Sequence, residues 1–338
     1  MTANASGHAG GASLEFRGVT KRYDSGTTTP GAVNDLSFEV PAGAICVLVG
    51  PSGCGKTTSL KMVNRLIEPS GGEILLDGVN VQSQPVTALR RRIGYVIQQV
   101  GLFPHLTIGR NVAVVPGLEG WPKERQLART RELLTLVGLD PDRYDGRYPS
   151  QLSGGERQRV GVARALAADP PLMLMDEPFA AVDPIVRSHL QDEFLRLQRE
   201  LAKTILFVTH DVDEAIKMGD LIAVMAEGGH LAQFGPPDEI LAHPASEFVA
   251  RFVGADRGLK RLSLRTVADV DVVPIGRPDG LPNLPPETSL RDALSILLVA
   301  DTRGGVALDE AGRSRGLVTV DAIACALADE LPSEARRT

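Results

Sequence analysis

The sequence predicts an α/β fold built on strands that are buried on both faces. Three observations carry the prediction. Residues 45–49, 172–175 and 204–209 are short, mostly apolar runs without polar alternation, the pattern of strands covered on both sides. Helical stretches lie between them. Residues 58–65 contain no Gly or Pro, and residues 185–203 repeat Leu190, Phe194, Leu197 and Leu201 at 4-3-4 spacing, a core-facing stripe. Between the first run and the first helix stands Gly50-Pro51-Ser52-Gly53-Cys54-Gly55-Lys56-Thr57-Thr58. Its Gly50, Gly55, Lys56 and Thr57 fit the spacing G-x-x-x-x-G-K-[ST].

The chemistry of that loop comes from its residue types. Gly53 and Gly55 let the backbone turn sharply and bring its N–H groups close to an anion. The helix beginning near Lys56 aims the positive end of its dipole at the same place. Lys56 adds a full charge near the outer phosphates, and the Thr57 hydroxyl is a ligand for Mg²⁺. With a buried strand before it and a helix after it, the motif reads as a nucleotide cradle rather than a glycine-rich turn with a solvated lysine.

Composition bounds the rest. The chain has 338 residues, enough for roughly two domains, and a net charge of -6. That charge offers no basic field for nucleic acid, which is not expected as a partner. The 3 cysteines, Cys46, Cys54 and Cys325, are odd in number and fit a reduced protein without a disulfide framework. No apolar run reaches transmembrane length. Residues 1–12 are rich in Gly and Ala, with no basic start and no apolar core, and read as a disordered tail.

Taken in order, residues 14–23 and 34–40 read as strands separated by a Gly/Thr/Pro loop at 24–31. Tyr23, just before that loop, fits either an ordinary half-buried strand tyrosine or a platform for a flat base. Residues 72–76 and 79–81 flank Asp77-Gly78, a hairpin signal. Residues 93–97 form a strand that ends at Gln98, whose carbonyl oxygen suits a metal or a water, or only solvent. Residues 101–168 read as a helical insertion. Its charged helix at 123–137 has Leu127, Leu133, Leu134 and Val137 as the apolar side. The apolar tip Leu102-Phe103-Pro104 suits packing or a partner surface.

Leu152-Ser153-Gly154-Gly155-Glu156-Arg157-Gln158 opens the next helix. Ser153 and Glu156 fit a capping box, and the two glycines bare the backbone of the first turn, a second anion site. Glycine weakens a first turn, so a plain capped helix explains the pair less well than close approach by a ligand. Asp176 and Glu177 end the strand at 172–175. There Asp176 is placed to hold Mg²⁺ through water and Glu177 to activate an attacking water. Asp183 closes the next loop, and His210 stands at the end of 204–209, level with the two carboxylates. Residues 221–225 and 230–234 read as a hairpin and 237–253 as closing helices. A linker at 254–262 leads to a small α/β segment at 263–330, with helices at 288–300 and 321–328.

Together these motifs make residues 13–253 resemble the ATP-binding subunit of an ABC transporter: a P-loop NTPase core with an antiparallel β subdomain and a helical subdomain. Residues 50–58 resemble its Walker A loop, 152–158 its signature sequence, and 172–177 its Walker B strand with catalytic Glu177. Gln98 is similar to the Q-loop, Asp183 to the D-loop and His210 to the switch histidine. Tyr23 matches the adenine-stacking aromatic. Residues 180–183 read Ala-Ala-Val-Asp where the usual D-loop is Ser-Ala-Leu-Asp.

The resemblance implies a head-to-tail dimer with ATP between Walker A of one copy and Ser153, Gly154 and Gly155 of the other. It also implies Mg²⁺ at Thr57, Gln98 and Asp176. The implied partners are integral membrane permease subunits and, indirectly, an extracytoplasmic substrate-binding protein, with this chain peripheral at the cytoplasmic face of the membrane. Residues 94–105 resemble the branch importing glycine betaine, choline, carnitine or proline. Residues 288–328 resemble one CBS motif, a regulatory module of that branch. Asp321 falls two residues after Thr319, where the ribose-binding form of the motif has three. Another small solute, or a non-transport ABC ATPase, is the alternative reading.

Overall fold

The computed structural model describes residues 10–23, 32–98, 101–180, 182–274 and 280–328. Most of the expected tail, the loop at 24–31, Gln99 and Ala181 lie outside the described residues, as does the end of the C-terminal segment. The chain divides into two compact units, Met1–Phe234 and Gly235–Thr338.

The first unit contains two sheets. Strands β1 (Leu14–Lys21) and β2 (Val33–Val40) pair antiparallel in a four-stranded sheet. Strand β3 (Ile45–Val49) and helix α1 (Lys56–Val63) come next, then β4 (Gly71–Leu76) and β5 (Val79–Asn80) complete that sheet in the order β2-β1-β4-β5. Asp77 (φ 50°) and Gly78 (φ 72°) are both left-handed, as a two-residue hairpin turn requires. The predicted second strand is shorter than expected, because Val81 begins a turn of 3₁₀ helix. Apolar residues alternate inward along β1 and β2, and Phe16 stacks on Phe38 with ring centroids 4.6 Å apart.

Helix α2 (Val86–Arg91) leads into β6 (Ile93–Val96). Five helices then form the insertion: α3 (Ile108–Val112), α4 (Val114–Leu118), α5 (Lys123–Leu136), α6 (Pro141–Tyr144) and α7 (Gly154–Leu166). On α5 the buried residues are Thr130, Leu133 and Leu134. Leu127, read from the sequence as part of the apolar side, is 55% exposed, one turn beyond the covered stripe. At the tip, Asn111 holds Phe103 through both backbone groups, yet the Phe103 ring stays 42% exposed.

Strand β7 (Leu172–Asp176), helix α8 (Pro184–Leu201), β8 (Thr204–Val208), α9 (Val212–Met218), β9 (Leu221–Ala226) and β10 (His230–Gly235) complete the unit. The second sheet runs β10-β9-β3-β8-β7-β6. Its pairs β3/β8, β3/β9, β7/β8 and β6/β7 are parallel. Every residue of β3, β7 and β8 is buried, which is why these strands carry no alternation. The register sets Val96 against Met175, Asp176 against Val208, and Leu48 against Val208. Four strands therefore end at one edge, and the loops that leave them meet there, as ligand sites of parallel sheets do.

The second unit begins with α10 (Pro237–Ala242) and α11 (Glu247–Val253). The stretch at 254–262, read as a linker, carries helix α12 (Arg257–Leu262). Its support is not visible locally. The Arg261 guanidinium pairs with Asp238 at 2.9 Å, Lys260 donates to the Val253 carbonyl, and Leu262 is 2% exposed. Strand β11 (Asn283–Leu284), α13 (Leu290–Val299), β12 (Gly304–Leu308), β13 (Ser314–Thr319) and α14 (Val320–Ala328) make up the remainder. Leu262, Leu284, Leu290, Leu297, Val318 and Ile323 share one core. Thr319 Oγ1 accepts the Ala322 N–H at 3.1 Å, so this hydroxyl serves the start of α14.

Candidate active site

The phosphate-type loop joins β3 to α1. Gly53 (φ 82°) and Gly55 (φ 95°) adopt left-handed backbone. A Cβ at Gly55 would stand 2.1 Å from the Ala32 carbonyl oxygen, so only glycine fits there. Lys56 is 7% exposed. Its Nζ donates to the carbonyls of Gly50 at 2.7 Å and Pro51 at 2.9 Å, and lies 3.7 Å from Cys54 Sγ. An ammonium folded back on its own loop's carbonyls is a charge that an incoming anion can claim. The first turn of α1 has no acidic residue to compete with that anion.

Across the edge, Thr57 Oγ1 donates to Asp176 Oδ1 at 2.9 Å. Burial pushes the Asp176 carboxyl up from its ordinary value, opposed mainly by the Thr57 bond. Among the described residues no cluster of three or more His, Cys, Asp or Glu side chains is assembled to hold a metal. One hydroxyl beside one desolvated carboxylate is nonetheless a donor set that fits Mg²⁺, which takes one or two protein oxygens and completes its shell with water and phosphate.

Glu177 is the centre of the edge. Its backbone is left-handed (φ 47°), and its N–H donates to the Val208 carbonyl at 2.9 Å. A non-glycine residue in that conformation is held there by its surroundings and marks a constrained site. Gln98 Nε2 donates to Glu177 Oε2 at 3.1 Å, and His210 Nδ1 lies 3.2 Å from Glu177 Oε1. Residues 79 and 33 positions away are thus brought to the two oxygens of one carboxylate. A carboxylate so fixed is arranged to take a proton from water.

The start of α7 is built as its sequence implies. Ser153 Oγ accepts the Glu156 N–H, and Glu156 Oε2 accepts the Ser153 N–H at 2.7 Å, a complete capping box. Tyr144, which sequence reasoning missed, donates its hydroxyl to Glu156 Oε1 at 2.5 Å. That bond and those from Ser153 lower the Glu156 carboxyl to about 2. The glycines differ in kind from those of the first loop. A Cβ on Gly154 would meet nothing within 4 Å, and one on Gly155 only Val186 at 3.8 Å. Nothing in the chain's own fold requires glycine at either place.

Two further predicted residues are exposed. Asp183 is exposed just before α8, with its carbonyl accepting the Arg187 N–H at 2.7 Å. Tyr23 lies beyond the end of β1 and is 53% exposed, which excludes the half-buried strand tyrosine.

A family model described as ABC transporter matches residues 33–180. The osmoprotectant import ATP-binding protein OsmV of Salmonella typhimurium is 49% identical over 308 residues, covering 90% of this chain and 78% of that protein. The chain belongs to the ABC transporter ATP-binding family. Another relative in the family is the glycine betaine uptake system ATP-binding protein YehX of Escherichia coli. It is 48% identical over 286 residues, which is 84% of this chain and 90% of that protein. Among solved structures, a dimeric ATP-binding cassette in a post-hydrolysis state, bound to ADP and Pi, superposes with a TM-score of 0.60. Its identity is 32%, over 66% of this chain and 98% of that one. Family membership makes the chain an ABC-type ATPase with a P-loop α/β core. No helix among the described residues is long and apolar enough to cross a membrane.

Proposed function

We propose that this chain is the ATP-hydrolysing subunit of an importer for osmoprotectants of the glycine betaine class. The observation that carries the catalytic half is the Glu177 carboxylate fixed between Gln98 and His210, beside the Thr57–Asp176 pair and the Lys56 loop. Lys56 and the loop N–H groups bind the phosphates, and Tyr23 offers its exposed ring to the base. Thr57, Asp176 and Gln98 would hold Mg²⁺, whose contribution when bound is to neutralise charge on the phosphate oxygens. Glu177 polarises the attacking water, and His210 supports the γ-phosphate. Hydrolysis reopens a dimer that ATP binding closed, and that cycle drives the permease subunits in the membrane between access states.

The glycines of α7 support the second half of the site. Glycine at the first turn of a helix weakens it, and the chain's own packing gives no return for it. The return comes from outside, where a second copy's nucleotide approaches Ser153, Gly154 and Gly155. Gly154→Ala is therefore expected to raise thermal stability, by about 0.5–1 kcal/mol, while lowering ATP turnover several-fold. Melting curves and phosphate release measured on the same preparation check the two signs together.

The substrate class rests on the relatives' names and on residues 94–105. The C-terminal unit, with its strand, helix, two strands and helix, supports a CBS-like regulatory reading. The test is ATP turnover in vesicles containing the cognate permease, over a panel of glycine betaine, choline, carnitine, proline and unrelated amino acids, at several salt concentrations. Stimulation confined to quaternary amines and proline is expected. Stimulation by an unrelated solute alone would overturn the substrate assignment, and a flat salt response would remove the regulatory one.

A further inference from the structure

The capping box at the start of α7 uses only one oxygen of Glu156. That oxygen, Oε2, accepts the Ser153 N–H at 2.7 Å and closes the box. The other, Oε1, accepts the Tyr144 hydroxyl at 2.5 Å, the length of a short charge-assisted bond. The carboxylate therefore bridges a tyrosine of α6 and the residue that starts α7. The Tyr144 bond is also the largest cause holding the Glu156 carboxyl at about 2, so the group stays ionised and purely an acceptor.

Ser153 and Gly154 are exposed, so little packing holds them where a second copy's nucleotide arrives. Their place depends on the box. A half-buried glutamate bonded through one oxygen alone would keep rotamer freedom, and the box would loosen with it. Tyr144 supplies a fixed point outside α7. Arg147 lies over its ring, with the guanidinium carbon 4.7 Å from the centroid. Asp140 caps α6 by accepting the Asp142 N–H at 3.0 Å. The carbonyls of Asp145 and Arg147 accept the N–H groups of Gly109 and Ile108 at 3.0 and 2.8 Å, which fastens the end of α6 to α3. The hydroxyl that reaches Glu156 thus comes from a helix anchored elsewhere in the insertion.

We propose that Tyr144 is a positioning residue for the ATP that a second copy brings: acting through Glu156, it sets Ser153 and the first turn of α7 where that nucleotide's phosphates arrive. The inference deepens the dimeric ATPase reading and rests on it. Tyr144→Phe removes one hydroxyl and keeps the ring under Arg147. It is made in the full chain, alone and with Glu156→Ala, and each version is also made in Glu177→Gln, which is expected to hold ATP uncleaved. Turnover, melting temperature and the concentration at which ATP brings two chains together are measured. ATP affinity is measured where the mass is that of a monomer.

Tyr144→Phe is expected to raise the dimerising concentration about fivefold or more and to lower turnover at fixed concentration by a similar factor. Affinity of the monomer is expected to stay within about twofold, because the chain's own phosphate loop is untouched. The melting temperature is expected to move by no more than about 3 °C. With Glu156→Ala already present the hydroxyl has lost its partner, and Tyr144→Phe is expected to cost nothing further. Unchanged dimerisation and turnover, a fall in monomer affinity equal to the fall in turnover, or the same added loss with and without Glu156→Ala would overturn the proposal. Should Glu156→Ala fail to fold, the split between monomer affinity and dimerisation in Tyr144→Phe decides. A natural chain that turns over ATP without dimerising would instead sink the dimer reading itself.

Discussion

Glu177→Gln is expected to bind ATP, to accumulate as an ATP-bound dimer and to release phosphate about 10²–10⁴-fold more slowly than the natural chain. The change keeps the shape of the side chain and removes its ability to take a proton. The left-handed backbone at this position and the bond from its N–H to Val208 do not involve the side chain, so the fold is expected to survive. Gln98 can still donate to the remaining carbonyl oxygen. Phosphate release and the mass of the protein with and without ATP, measured on the same sample, separate binding from chemistry. Normal release by this variant would contradict the assignment of Glu177.

Lys56→Ala is expected to fail at the earlier step. Lys56 is 7% exposed, and its Nζ sits among the carbonyls of Gly50 and Pro51. A charge-assisted contact to phosphate is worth about 1.5–3 kcal/mol, so ATP affinity should fall by roughly 10–150-fold. The lysine's hydrogen bonds run to backbone oxygens and a sulfur in its own loop, and the buried Asp176 carboxylate, which also feels its charge, keeps the Thr57 hydroxyl and the Lys61 charge. The melting temperature should therefore change little. Equilibrium binding of ATP beside a melting curve checks both statements. Undiminished affinity would mean that the loop is not the phosphate site.

Much of this site was legible in the chain because its residues fall at the ends of strands that the sequence marks clearly. Residues 45–49, 172–175 and 204–208 are buried on both faces, and the functional residues begin within a few positions of where each apolar run stops. What spacing does not contain is register. That Gln98 and His210 reach the two oxygens of Glu177 depends on Val96 lying against Met175 and Asp176 against Val208. Tyr144 escaped for a related reason. Its partner, Glu156, is set by helix packing and not by any local pattern. Leu127 shows the opposite error, an apolar residue on the right face whose turn extends past its neighbours. Helix α12 was missed because its support, the Arg261–Asp238 pair, spans 23 residues.

The central claim is that one molecule holds half of each catalytic site. ATP turnover per molecule, measured as the purified chain is diluted while its mass in solution is recorded, tests it directly. The account predicts that turnover per molecule falls as the dimer dissociates and that Gly154 variants remain slow at every concentration. Constant turnover from a chain whose mass is that of a monomer would contradict it.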